Sequence, residues 1–312
     1  MDSRRLQRRI RLRDLETFAA VVQAGGMRKA AGGLNLSQPA VSRAVRELED
    51  AFGAPLLQRS RRGVEPTAFG QALMRRAGAV LDELTSAVAE LAHLADPGQG
   101  TVRLGGGESL QAGLISAMVQ RLLATHPRMQ VEIETAQAGA LVDHYLRGRL
   151  IDFAVARPLR LPLPPDIEGE NLFHEHMRVG VGQSHPLARR RRVDLGELID
   201  EHWILSHNEL MEGSPLLRAL QDAGLPRPAR VVISGSVQTR AVLLATGRFI
   251  TLFPHTLFHF GDWRQRARVL PVTLPAWQVP TMILTLRGRD TGPATQLALD
   301  RIREMSRSLV RA

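Results

Sequence analysis

Between residues 36 and 52, Val41, Val45, Leu48 and Phe52 recur at i, i+4, i+7 and i+11, which is one buried helical face. Ser37 sits at the N-cap position, where its hydroxyl can accept from a free N–H of the first turn. Pro39 falls inside that turn, where its missing N–H costs nothing. Gln38, Ser42, Arg43 and Arg46 lie off the apolar stripe, with Gln38 and Ser42 one turn apart. Upstream, 27–34 predicts a short helix of small residues, joined to the first by Asn35-Leu36. Gly32 and Gly33 weaken that helix by about 1 kcal/mol each, so it relies on tertiary packing. Another helix is predicted over 12–24, with Leu15, Phe18, Ala19 and Val22 at helical spacing and Gly25-Gly26 ending it. Residues 53–67 read as two short strands around a basic turn. Thr67 can cap the next helix, in which Leu73, Val80, Ala87 and Leu94 are spaced by seven and Ala77, Leu84 and Leu91 form a second register. The alternation of three and four is a coiled-coil seam, about 40 Å long at 1.5 Å per residue, suited to pairing two subunits.

After Asp96-Pro97-Gly98-Gln99-Gly100, a predicted hinge, the period changes. Strands are predicted at 101–105, 130–134 and 153–156, with helices at 110–125 and 140–147 between them. That order is βαβαβ, which implies parallel strands and right-handed crossovers. Pro158, Pro162, Pro164 and Pro165 interrupt it. A second α/β set runs from about 169 to 268, with strands at 178–182, 203–205, 231–234 and 249–252 and helices starting near Asp194, Ser214 and Val237. The tail adds a strand over 282–286 and a helix over 295–309.

Charge sharpens the picture. The net charge is +10, and Lys29 is the sole lysine among the 41 basic residues. Residues 1–66 hold 13 basic residues against 7 acidic ones, so over half of the excess sits in about a fifth of the chain. That asymmetry suits a polyanion, and Gln and Arg are the side chains that fork onto purine edges in the major groove. Ser42 reaches phosphate or a base edge through its single hydroxyl. The Arg-rich stretch 1–11 is read as a mobile arm that touches phosphates or stays solvated. The chain has no cysteine, no secretory signal pattern and no apolar run of about 18 residues, so a cytoplasmic protein without membrane contact is expected.

At Leu15-x-x-Phe18, Ala30-Ala31-x-x-Leu34-x-Leu36-Ser37-Gln38-Pro39-Ala40-Val41-Ser42, Leu48-Glu49 and Gly53-x-x-Leu56-Leu57-x-Arg59 the chain resembles the N-terminal domain of LysR-type transcriptional regulators. It departs from that pattern at Met27, Gly32-Gly33 and Leu57. The resemblance implies a multidomain α/β protein with a winged helix-turn-helix over 1–66, a linker and dimerisation helix over 67–95, a hinge over 96–100 and an effector-binding domain over 101–312. It places Gln38, Pro39, Ser42 and Arg43 on operator DNA, with Arg46 on the same helix. It places Arg59, Arg61 and Arg62 on a wing that grips phosphate or the minor groove. It further implies a two-lobed effector domain like the type 2 periplasmic binding proteins, with lobe one over 101–165 and 269–312 and lobe two over 166–268. Homodimers through the linker helix, tetramers through the effector domains and RNA polymerase as a further candidate partner follow from the same likeness.

In open α/β sheets ligands lie beyond the carboxyl ends of strands, near helix N-termini. Gly105–Ser109, Gln137–Gly139, Arg157, Ser206–Asn208 and Ser234–Thr239 occupy such positions. The expected effector residues are Ser109, Gly139, Arg157, Ser206, Gln238 and Thr239, and the expected ligand is an organic acid. Glu108 in the mouth is awkward for an anion and would suit a hydroxylated ligand instead. His255-x-x-x-His259 has metal-pair spacing but lacks the Glu of H-E-x-x-H and a third ligand, and His174-x-His176 reads as a half-exposed pair. No G-K-[ST], G-x-G-x-x-G or G-x-S-x-G pattern is present. Neither cofactor, metal nor enzymatic chemistry is expected. A DNA-architectural protein that reads no sequence, and a binding protein or enzyme with an N-terminal oligomerisation arm, are the competing readings.

Overall fold

The computed structural model describes residues 9–60, 63–96, 98–158, 161–275 and 280–310. The chain divides into two compact units, 1–91 and 92–312.

In the first unit, α1 (Leu12–Ala24), α2 (Met27–Gly33) and α3 (Gln38–Phe52) precede a hairpin of β1 (Leu57–Ser60) and β2 (Gly63–Pro66). Gly25 takes the left-handed conformation, φ 67°, that closes α1. Ser37 caps α3, its Oγ accepting from the Ala40 N–H at 3.3 Å, and Asn35 supplies the tight turn with φ 52°. Val41 and Val45 pack with Val21, Ala30 and Ala31, so burial of its two alanines holds the glycine-weakened α2. Leu48 joins Leu15, Phe18, Leu56 and Ala77 in a second cluster. Gly63 (φ 123°) lets the hairpin approach the end of α1, and a Cβ there would lie 2.5 Å from the Gly25 carbonyl oxygen. Thr67 Oγ1 caps the long helix α4 (Ala68–Ala95) by accepting from the Gly70 N–H at 3.1 Å.

The second unit holds two five-stranded sheets. The first has the order β4-β3-β5-β12-β6, built from β3 (Gln99–Gly106), β4 (Arg128–Thr135), β5 (Phe153–Ala156), β6 (Ile167–Phe173) and β12 (Thr281–Leu286). β3 runs parallel to β4 and β5, as the βαβαβ pattern requires, and β12 runs antiparallel to β5 and β6. The second sheet has the order β11-β7-β10-β8-β9, from β7 (Met177–Gly182), β8 (His202–Leu205), β9 (Val231–Ile233), β10 (Phe249–Pro254) and β11 (Ala267–Val269). Its β8, β9 and β10 are parallel, β7 runs antiparallel to β10, and β11 runs antiparallel to β7.

Helix α5 spans 108–125 and α6 spans 138–146, each with a π turn, over Gln111–Ile115 and Leu141–Leu146. Ser116 Oγ returns to the Gln111 carbonyl at 2.6 Å inside the first of these turns. Helix α5 and the C-terminal helix α11 (Pro293–Val310) bury Leu114, Met118, Leu299 and Ile302 against one face of the first sheet. Leu141 and Leu146 of α6 cover the other face with Ile151 and Leu284. In the second lobe, α7 (Pro215–Asp222) packs Leu216 and Leu220 on one face. Helix α8 (Val237–Ala245), α9 (His255–Phe260) and α10 (Trp263–Arg266) close the other with Leu244, Leu257 and Trp263.

Two features differ from the expected lobe and hinge bounds. Strand β6 belongs to the first sheet, so the first lobe extends past residue 165, and Leu270, Val272 and Leu274 still pack in the second core. Strand β6 is an edge strand with Glu168, Gly169, Glu170 and Asn171 exposed, so it shows no apolar alternation. Gln99 and Gly100 of the expected hinge begin β3, and Asp96 accepts from Gly98 N at 3.1 Å and Arg128 Nη2 at 2.6 Å.

Candidate functional site

Helix α3 presents Gln38, Pro39, Arg43 and Arg46 as exposed side chains, with Ser42 half-buried. Their separation from Val41, Val45 and Leu48 follows from the 3.6-residue period: one stripe is spent on the core and the opposite face stays free. Arg46 bends back along the helix, donating from Nε to the Ser42 carbonyl and from Nη2 to Ser42 Oγ, each at 3.2 Å. Arg43 keeps its guanidinium in solvent. In the hairpin, Arg59 pairs in register with Val64. Arg61, Arg62 and residues 1–8 of the basic arm lie outside the described residues.

In the second unit a cleft of about 640 Å³ lies between the two sheets. Its walls are the segments that follow six strand ends: Gly107–Leu110 after β3, Thr135–Ala138 after β4, 156–158 at the end of β5, Ser206–Ser214 after β8, Gly235–Val237 after β9 and Pro254 at the end of β10. Ser109, Arg157 and Ser206 line this cleft. Gly139, Gln238 and Thr239 do not. Gly139 is exposed in the first turn of α6, and the preceding Gln137 and Ala138 line the wall instead. On α8 the cleft face is Ser236, Val237 and Arg240, so Gln238 and Thr239, rotated about 100° and 200° past Val237, are exposed.

Two ion pairs support the cleft, one buried on both sides and one with a buried carboxylate and a half-buried guanidinium. Arg240 and Glu209 are 4% and 6% exposed and pair through two bonds, Nη1 to Oε1 at 3.0 Å and Nη2 to Oε2 at 2.7 Å. Arg240 also donates to the Leu252 carbonyl at 2.5 Å and the Ser234 carbonyl at 3.1 Å, and Glu209 accepts from the Ser206 N–H at 2.6 Å. This pair therefore fastens the ends of β8, β9 and β10 together. Glu175, on the segment joining β6 to β7, is 1% exposed. It accepts from Thr256 Oγ1 at 2.8 Å and from Arg157 Nη1 at 3.3 Å. Burial pushes its carboxyl above the usual carboxylate range, against the pull of Arg157 and the Thr256 hydrogen bonds. Arg157 reaches Ser109 Oγ at 3.4 Å. Its contacts are long, so its guanidinium is the less committed of the two cleft cations.

The family model for the bacterial regulatory helix-turn-helix protein, lysR family, matches residues 12–71, and that for the LysR substrate binding domain matches residues 95–307. The chain belongs to the LysR family. Members are transcriptional regulators that bind operator DNA and small-molecule effectors, and this LysR-type regulator carries both domains. It is 26% identical over 312 residues to the HTH-type transcriptional regulator GbpR of Azospirillum brasilense, covering 98% of this chain and 90% of that protein. Among solved structures, a full-length OxyR variant from Pseudomonas aeruginosa matches with a TM-score of 0.65 at 22% identity, covering 97% of each chain. Full-length CbnR complexed with its target DNA matches with a TM-score of 0.54 at 23% identity, over 95% of this chain and all of that one. At these identities the two structures show the shared fold.

Glu209, Arg240 and Glu175 of this LysR-type regulator escaped sequence reading. Arg240 sits in an apolar helix and Glu209 three residues after Ser206, and a lone charge in an apolar segment was the available signal. Among the described residues no group of three His, Asp or Glu is placed to hold a metal ion, and His174 and His176 are exposed on either side of Glu175. No described helix is long and apolar enough to cross a membrane.

Proposed function

We propose that this regulator binds a two-fold operator as a homodimer, places α3 in successive major grooves and is switched by a small organic acid in the interlobe cleft. The observation that carries the DNA half is the face of α3 with exposed Gln38 and Arg43 and half-buried Ser42, inside the matched helix-turn-helix segment. Gln38 is assigned to a base edge, Arg43 and Arg46 to base edge or phosphate, Ser42 and Pro39 to the close approach of the helix, and Arg59, Arg61 and Arg62 to the flanking backbone. The exposed Val80, Leu84, Val88, Leu91 and Leu94 of α4 supply the dimer seam. Arg157, with its long contacts to Ser109 and Glu175, is the cation assigned to the effector carboxylate, and Ser109 and Ser206 supply hydroxyls. Effector domains carry the dimer to a tetramer, and RNA polymerase is the partner through which occupancy changes transcription.

Footprinting on the DNA upstream of its own gene tests this reading. A protected dyad is expected. Gln38→Ala should lose about 1–3 kcal/mol of discrimination at one position of each half-site. Arg43→Ala should weaken binding to all sequences and lower the salt slope by about one. Equal affinity of Gln38→Ala and the unmodified protein for operator and random DNA would replace this reading with the architectural one.

A further inference from the structure

A second concavity, of about 360 Å³, opens on the second lobe and shares no lining residue with the cleft. Arg178, His255, Arg264 and Arg268 line it over Phe258 and Ala267, and no carboxylate is among its walls. The carboxylates of the same segments are engaged elsewhere. Asp262 accepts from Arg266 at 3.1 Å and 3.2 Å, and Glu175 is held by Arg157 and Thr256.

Two of the guanidinium groups are fixed through their Nε atoms. Arg264 Nε donates to the Phe258 carbonyl at 3.1 Å. Arg268 Nε donates to Gln183 Oε1 at 2.7 Å, and Gln183 donates in turn to the Gln265 carbonyl at 3.1 Å. Tethering at Nε leaves the paired terminal nitrogens free, and that edge takes two phosphate oxygens at once. Arg178 makes no ion pair among the described residues. Burial holds His255 below its ordinary range, and positive charge on Arg178, His259, His176 and Arg264 pushes it the same way. Three guanidinium groups around one concavity repel one another, and an anion carrying more than one charge relieves that repulsion.

We propose that this concavity binds a small phosphate-bearing polyanion, at a site separate from the interlobe cleft. The assignment rests on the second lobe alone and stands whether or not the cleft takes an organic acid.

Calorimetric titration of pyrophosphate into the full-length chain at constant ionic strength tests it. The comparison is between the unmodified protein, an Arg178→Ala/Arg264→Ala variant and an Arg191→Ala/Arg192→Ala control. The N-terminal arginines attract pyrophosphate equally in all three, so the difference between variants is the readout. Affinity at least tenfold weaker in the pocket variant, with the control unchanged, is the expected result. Equal weakening in both variants, or none in the pocket variant, overturns the proposal. Unchanged pyrophosphate affinity together with lost transcriptional response also overturns it and gives the surface to an acidic protein partner. If the double variant fails to show a cooperative unfolding transition, Arg268→Gln decides, with a roughly threefold loss expected and no loss overturning.

Discussion

Glu108 Oε1, at the start of α5 in the first lobe, accepts from the Val237 N–H at 2.9 Å, at the start of α8 in the second. Ser236 Oγ donates to the same oxygen at 3.1 Å. A carboxylate of one lobe thus satisfies an otherwise free amide at the helix N-terminus of the other, where the helix dipole favours negative charge. Glu108 therefore links the lobes from the cleft wall that it also lines. Glu108→Ala is expected to speed hydrogen exchange of the Val237 amide at least tenfold, and Glu108→Gln less. Unchanged exchange in the alanine variant would show that the lobes stay together without this bond.

The Arg240–Glu209 pair predicts a large stability effect. Glu209→Ala leaves a guanidinium at 4% exposure without its counterion and should cost about 3–5 kcal/mol in denaturant unfolding. Replacing both partners with apolar residues of similar volume should cost less than the single change. A single variant within about 0.5 kcal/mol of the unmodified protein would contradict the pairing.

The exposed seam of α4 predicts an assembly effect. Leu84 and Leu91 are 44% and 68% exposed, a poor use of leucine in an isolated helix. Leu84→Asp/Leu91→Asp should split the proposed tetramer into dimers held by effector domains in sedimentation and lower operator affinity, while unfolding of residues 92–312 stays unchanged. A variant that still sediments as the tetramer would assign the α4 pairing to another surface.

His185 predicts a pH effect. It is 4% exposed, Nδ1 accepts from the Leu187 N–H at 3.2 Å, and burial lowers its pKa while Glu201 partly opposes. Its folded pKa lies below the unfolded value, so the unfolded chain binds the extra proton first. The neutral ring's contribution is complete above about pH 6.5 and falls as pH drops towards the folded pKa. Denaturation midpoints should therefore decline more between pH 7.5 and 5.5 in the unmodified protein than in His185→Asn, whose amide oxygen can keep the Leu187 bond. Equal declines would place the proton elsewhere, with His255, shifted in the same direction, the next group to test.

Local information determined the helix-turn-helix, the length of α4 and most strand cores. Their signals are a cap such as Ser37, a stop such as Gly25 and a repeat of apolar positions, and each lies within a few residues along the chain. Tertiary structure decided what depends on pairing between distant segments. Edge strands β6 and β11 expose most side chains and carry little alternation, so hydrogen bonding to β12 and β7 assigns them to their sheets. The cleft was legible as a set of strand ends, but the rotation of α8 selected Val237 and Arg240 over Gln238 and Thr239. The pairing of Glu209 with Arg240 across 31 residues, and of Glu108 with Val237 across 129, came from desolvation. A buried charge or amide must find a partner, and only the folded chain brings that partner within reach.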